Sequence, residues 1–370
     1  MKRNIIRIAV LLLTLLCFIL VAAKLSGISK TSLVTTTGQT FEKGTVTSVI
    51  EDNITESGTR VGQQQVEVLM KTGEKKGQSV IMTSSAGYLF GAACKTGMNV
   101  IVMQSVSGDT VVSSVYSQDR GNVIILFAIF YLVLLCLIGG KKGLRGAAGL
   151  VFTFFMLIYI ELPLIYLGYS PFITSVAVCV ITTIVTLYFI GGISKKTLVA
   201  ISGTVSGVII SGMTAGIFSL LTGLSGWNVS NIESLLTLWE TNEIQVGGLL
   251  FSGILISSLG AVMDVAMSIS SSMQEIAFQN PSIESKELFK AGMRVGRDMM
   301  GTDSNTLILA FAGTGLSTLV LDYSYDLPFL QIINSGNIGI EIMQGLSGSF
   351  GVVLCVPVTV AIGAALIKRS

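Results

Sequence analysis

The sequence predicts an α-helical polytopic membrane bundle of about eight transmembrane helices, both termini inside, with an exported small β-barrel-like domain between spans one and two. Three observations lead there. Of 370 residues, 51% are hydrophobic and 12% charged, about half of the roughly 25% charge that a soluble domain carries. Charge-free intervals of membrane-spanning length recur along the chain. Charge and short β-branched runs concentrate instead in one block, residues 24–121. A mean hydropathy of +0.77 and 41 glycines against 5 prolines suit helices whose small residues let backbones approach in lipid.

The first apolar run, Ile5–Ala23, comes after Lys2 and Arg3 and is interrupted by Arg7. It is expected to be an N-terminal anchor within residues 1–23, or a cleaved signal peptide ending at Val-Ala-Ala; either one exports the segment C-terminal to it. In residues 24–121, Thr45–Ile50, Val66–Met70, Ser79–Met82, Val100–Met103 and Thr110–Val115 are expected as strands, with glycines between them supplying turns. Five short strands in so little chain suit an OB- or SH3-like barrel, which leaves few free edges; a flat two-sheet arrangement is the alternative. Residues 122–370 then form a seven-helix domain. Its spans are Asn122–Gly140, two within Gly146–Ser194 separated near Pro163, Gly168 and Pro171, then Thr197–Gly223, one from Glu243 past Asp264, Ser304–Leu321 and Ile342–Ile367.

The placement of basic residues tests this layout independently, because Lys and Arg accumulate on the cytoplasmic side. The segments that would face inward hold Lys2, Arg3, Arg7, Lys141, Lys142, Arg145, Lys195, Lys196, Lys286, Lys290, Arg294, Arg297, Lys368 and Arg369. All the other Lys and Arg lie in 24–121, and the short external loops around Gly168, Trp227 and Tyr325 have none. Trp227 and Trp239 suit an interfacial anchor, with residues 227–243 forming a short amphipathic helix.

Candidate sites are residues whose polarity is expensive at membrane depth. Span five carries Gly203, Gly207, Ser211, Gly212 and Gly216, a small-residue stripe for close helix packing, either within this chain or across a dimer. In span six, Ser257, Ala261, Asp264, Ser268, Ser271 and Glu275 share a helix face. An ionised carboxylate at the centre of a membrane helix costs about 2.5–3.5 kcal/mol on insertion scales, so Asp264 should face a cavity or a partner. Asp264, Ser268, Asp303 and Thr306 are therefore the candidate transport or gating residues. Asp303, Thr306, Ala310, Thr314 and Ser317 form the facing stripe in span seven. Arg294, Arg297 and Asp298, in the loop before span seven, are possible charge partners. Glu161 and Glu341, near the external ends of their spans, are expected to be interfacial.

Other chemistry finds little support. With no histidine at all, histidine catalysis, metal ligation and pH sensing are excluded. Cys17, Cys94, Cys136, Cys179 and Cys355 form no Cys-x-x-Cys pair, so no zinc site or disulfide framework is legible. There is no Walker loop or dinucleotide fingerprint, and Gly301-Thr-Asp303 lacks the second glycine of the membrane aspartyl protease motif. No enzymatic activity, metal, cofactor or nucleic-acid partner is expected.

Two segments carry a family resemblance: Gly260-Ala-Val-Met-Asp-Val-Ala-Met-Ser-Ile-Ser270 and Gly296-Arg-Asp-Met-Met-Gly-Thr-Asp-Ser-Asn-Thr-Leu-Ile-Leu-Ala-Phe-Ala-Gly313. Together they resemble the YibE/F family of bacterial membrane proteins, and the resemblance extends over essentially all the chain after the first span. It implies an anchor, an extracytoplasmic segment and a helical bundle in the bacterial plasma membrane, with no established activity. The expected function is a transporter or permease for a small solute or ion, with a polar path between spans six and seven. The alternative is a non-transporting scaffold or sensor whose exported β domain binds envelope components or a partner membrane protein. Beyond lipid and the solute, the expected partners are a second copy or a second family member.

Overall fold

The computed structural model describes residues 18–25, 27–28, 38–55, 60–85, 91–107, 110–229 and 232–367. Most of the expected first span, with Cys17 and the terminal basic residues, lies outside them. Close contacts divide the chain into two units, Ser32–Leu134 and Met1–Thr31 with Leu135–Ser370.

The first unit is a barrel. Its strands are β1 (Gln39–Glu51), β2 (Gln64–Met70), β3 (Ser79–Ser84), β4 (Asn99–Ser107) and β5 (Thr110–Gln118). They close in the order β1-β2-β3-β5-β4, so all five expected strands are present and the flat alternative is excluded. The β3–β5 pairing is parallel, with Thr83 opposite Ser114, and the other pairings are antiparallel. Period-two alternation decides what enters the core. In β2, Gln64, Val66, Val68 and Met70 point inward, joining Val46, Met82, Val100, Val102 and Val115. Gly44 pairs with Met70 on one side and Val100 on the other. A side chain there would collide with Val68, so glycine lets β1 turn the barrel corner.

The one polar side chain of that inward row is fully used. Gln64 accepts from the Cys94 amide at 2.7 Å and donates to Asp52 Oδ1 at 2.8 Å. Arg60 also donates to Asp52, at 2.7 Å. The Gln64 amide, helped by Arg60 and the Asn53 amide, holds the Asp52 carboxyl below the usual range, against an opposing effect of burial second in size to that of Gln64. Cys94 is buried and free, and burial pushes its thiol up.

The second unit is helical. Residues 18–25 are the described end of α1. Then come α2 (Gly121–Met156, part of this unit from Leu135 onward), a π-helical turn (Leu157–Glu161), α3 (Leu162–Tyr166), α4 (Pro171–Gly191) and α5 (Lys195–Thr222). Beyond a short 3₁₀ turn (Gly226–Asn228) lie α6 (Ile232–Asn242), α7 (Val246–Gln279), α8 (Ser285–Thr314), α9 (Leu316–Ser324), α10 (Phe329–Ile333) and α11 (Gly336–Leu366). The expected amphipathic segment is α6, and Trp227 meets Trp239 edge to face with ring centroids 5.8 Å apart.

Among the described residues, five helical stretches are long and apolar enough to cross a membrane, or six if α8 and α9, bent by 57°, are one span. Expected spans two and three fall inside one 46-residue stretch, Gly121–Tyr166. The basic loop expected between them is helical too, and the break is a single residue, Gly140, at φ 53° and ψ −131°. Only glycine adopts that backbone readily. The basic segment expected as a loop before span seven is likewise helical, as the first half of α8.

The centre of this unit is α11, lined by Val352, Cys355, Val356 and Val360, which pack with Val199 of α5, Val262, Val265, Ile269 and Met273 of α7, and Leu288 of α8. Glycines set how closely the helices approach. A Cβ on Gly351 would lie 2.6 Å from the Gly207 carbonyl oxygen, and one on Gly348 would overlap Leu307.

Candidate functional site

Helix α7 buries one face and presents an unusual opposite one. Leu250, Ile254, Leu255, Leu259, Val262, Val265, Ile269 and Met273 lie on the buried side, and all but the adjacent Ile254 and Leu255 follow one another at three- or four-residue steps, the spacing of one helix face. Gly253, Ser257, Gly260 and Asp264 recur on the exposed side. The exposed face of α2, by contrast, is apolar: Ile124, Phe127 and Phe130 are 63%, 68% and 58% exposed. The surface of α7 is therefore small and polar where lipid contact would favour aliphatic side chains. Ser268, one turn beyond Asp264, is half-buried.

Helix α8 runs beside it. Gly292 and Gly296 let α8 approach closely; a Cβ on the former would meet Met273 Sδ at 2.8 Å, and one on the latter would overlap Val356. With that face buried, Arg294, Arg297 and Asp298 are exposed on the helix. Among the described residues neither arginine forms an ion pair with Asp264; the two ion pairs present are Lys43–Asp119 and Arg60–Asp52. Further along, Asp303 lies close enough to Asp264 and to Cys355 for charge on it to act on both. Asp303 Oδ2 and Ser304 Oγ are enclosed without a hydrogen-bond partner among the described residues. Thr306 is exposed and donates to the Thr302 carbonyl at 3.0 Å. The structure thus brings Asp264 and Asp303 together and leaves Thr306 on the outer side of α8.

At Gly315 the helix breaks into α9. Gly315 is buried, and a Cβ on it would meet the Glu341 side chain at 3.4 Å. Thr314 donates to Glu341 Oε2 at 3.2 Å. Around them lies a cavity of about 340 Å³ whose polar lining includes Thr314, Thr318, Asn337, Glu341 and Gln344. A broken helix at membrane depth is tolerated where it is buried in protein or lines a watered cavity. Glu341 lines this cavity.

The small-residue stripe of α5 packs within the chain. Gly203 fits against Thr359, Gly207 against Val262 and Cys355, and Gly212 against Leu255 and Phe172; Gly216 meets nothing within 4 Å. Ser211, also buried, faces Gly351 of α11.

A second polar centre escaped the sequence reading. Glu161 is 2% exposed. Its Oε1 accepts from the hydroxyls of Ser175 on α4 and Ser252 on α7, the latter at 3.0 Å, and the two serine oxygens are 2.5 Å apart. Its Oε2 is enclosed without a partner among the described residues. The cause is local. Pro163 has no N–H for the carbonyl one turn back, the turn before it widens to π geometry, and Ile160 and Glu161 are both buried. Such turns inside α-helices recur at functional sites. The signal available in sequence was a glutamate two residues before a proline in an otherwise apolar run.

Among the described residues, no three His, Cys, Asp or Glu side chains converge to hold a metal ion. No curated protein and no solved structure matches the chain. Residues 126–369, about two thirds of the sequence, match the profile of the YibE/F-like proteins. The match begins after the barrel, so the resemblance is narrower than the sequence reading expected. It includes both of the segments around Asp264 and Asp303, the α5 stripe, Glu161 and the broken α8–α9 helix, and on that basis the chain belongs to the YibE/F-like family.

Proposed function

We propose that this protein is a plasma-membrane permease for a small solute or ion, with a polar path between α7 and α8. The observation that supports this most is the exposed α7 face: Ser257 and Asp264, spaced by Gly253 and Gly260, form a small and polar strip on a helix whose other side is core. Such a strip costs free energy against lipid and none against water. Asp264 and Asp303 would give that path a negative centre suited to a cation or a hydrogen-bonding solute. The α8–α9 break and the cavity beside Glu341 provide the discontinuous helix that transport sites use. In this reading both termini are inside, eight spans include the part of α1 outside the described residues, the barrel is extracytoplasmic, and the chain performs no covalent chemistry.

The scaffold or sensor reading draws on one feature, the barrel's complete core of its own, which suits a binding module. Flux separates the two. Proteoliposomes carrying the wild type should take up labelled ions or solutes from a panel, and Asp264→Asn, which keeps size and removes charge, should lose uptake while remaining folded. No uptake of any panel member over empty vesicles would favour the scaffold. An unstable Asp264→Asn protein would make the carboxylate a packing element.

A further inference from the structure

The Glu161 centre is separate from Asp264 and Asp303 and, unlike Asp264, is buried. It is built by three elements that meet in the interior: the π turn after α2, α4 and α7. It places one carboxylate and two hydroxyls within hydrogen-bonding distance, all buried, since Ser175 is 0% and Ser252 5% exposed. Among the described residues no Lys or Arg compensates the carboxylate. Of the titratable groups, Cys179 on α4 is near enough to feel its charge, and α7 supplies the Ser252 hydroxyl. The α4 face continues as a polar file: Thr182 and Thr186, one and two turns beyond Cys179, have buried hydroxyls without partners among the described residues.

A carboxylate enclosed in this way needs positive charge, because an unpaired buried ion is among the most expensive groups a protein can hold. We propose that Glu161, Ser175 and Ser252 form a binding site for a small monovalent cation, a proton or Na⁺. Oxygen ligands from a carboxylate and two hydroxyls suit Na⁺. A proton on the same carboxyl removes the charge altogether. The two occupants share one chemistry, neutralisation of Glu161, and the enclosed Oε2 is the atom with capacity to spare. The site does not depend on the α7–α8 path conducting anything.

The test is the melting temperature of the purified full-length protein in nanodiscs, with NaCl exchanged for choline chloride at constant ionic strength and at several pH values. A ligand held by the native state alone raises the melting temperature with its concentration. If the occupant is Na⁺, the wild type gains stability saturably with Na⁺ and Glu161→Gln does not. If it is a proton, the wild type is indifferent to Na⁺ and gains stability on acidification relative to Glu161→Gln, whose neutral side chain already resembles the protonated form. Wild type and Glu161→Gln responding in parallel to both Na⁺ and pH would overturn the site. Should Glu161→Gln fail to fold, Ser252→Ala serves: it should shift the Na⁺ or pH midpoint, and an unchanged midpoint would also overturn the site. Asp264→Asn must retain the wild-type response, so failure of the permease reading leaves this one standing.

Discussion

Gly351→Ala is the most direct probe of how the helical unit is held together. The new Cβ would stand 2.6 Å from the backbone oxygen of Gly207 and closer still to Ser211 Oγ. Neither can yield easily, because the Ser211 hydroxyl donates to that same Gly207 oxygen at 3.1 Å. Non-bonded contacts to carbon settle at about 3.5–4.0 Å, so α5 and α11 must part by roughly 1 Å, and a gap of 0.5–1 Å forfeits about a quarter to a half of each dispersion contact. Overpacking of this kind costs about 1–3 kcal/mol, and the better helix propensity of alanine returns about 1 kcal/mol. The net expectation is a loss of up to about 2 kcal/mol. Gly216→Ala is the matched control, on α5 with nothing within 4 Å of the new atom, and should be neutral or up to about 1 kcal/mol more stable. Unfolding by SDS in mixed micelles, monitored by tryptophan fluorescence, reads both. If Gly351→Ala is as stable as Gly216→Ala, close packing at this crossing is not what the glycine is for.

Four further outcomes are expected of the same structure. On intact cells, in a background without native cysteines, Glu74→Cys should react with an impermeant maleimide and Ser285→Cys only after permeabilisation; the reverse would overturn the orientation. Cys94, buried with its thiol pushed up, should resist alkylation until the barrel unfolds, and ready labelling of the folded protein would contradict its placement. Because the Asp52 carboxyl is held below its usual range, the stability it contributes is present above about pH 4 and is lost as pH falls through its folded value. Asp52→Asn should flatten that acid-side loss in the isolated barrel, residues 38–120, and an unchanged acid slope would remove Asp52 as its source. The same fragment should show a β-type circular dichroism spectrum.

The barrel was legible because its code is local: Val66, Val68 and Met70 alternate with outward residues, and period two survives in any closed sheet. The α5 stripe was legible for a similar reason, since Gly203, Gly207 and Ser211 recur at one helical period. The α7 polar face was also readable, although its consequence depended on knowing which side the core occupies. What escaped were departures from regular geometry. A fixed helical period cannot anticipate the π turn before Pro163, so Glu161 reads as the end of a span although it enters the interior. Charge rules drew a loop through Lys286–Arg297, yet every residue there tolerates a helix, and Gly292 and Gly296 pack it onto α7 and α11. The break at Gly315 carries no proline to announce it. Pairing of Asp264 with Arg294 or Arg297 does not occur among the described residues: with Gly292 and Gly296 of α8 packed inward, both arginines are exposed.

The strand order of the barrel has a consequence for how it is made. A ribosome delivers β1 to β4 first, and these can already pair β1 with β2, β2 with β3 and β1 with β4. Until β5 arrives, β3 and β4 each keep a row of unsatisfied amides and carbonyls, the template for pairing with another chain. The last strand is the wedge that fills both, parallel to β3 and antiparallel to β4. Helix α2 begins at Gly121, three residues past the end of β5 at Gln118. Closure of the barrel and delivery of the next apolar helix therefore fall at the same moment of synthesis, and a chain truncated between Ser107 and Gln118 would be the form most prone to aggregate.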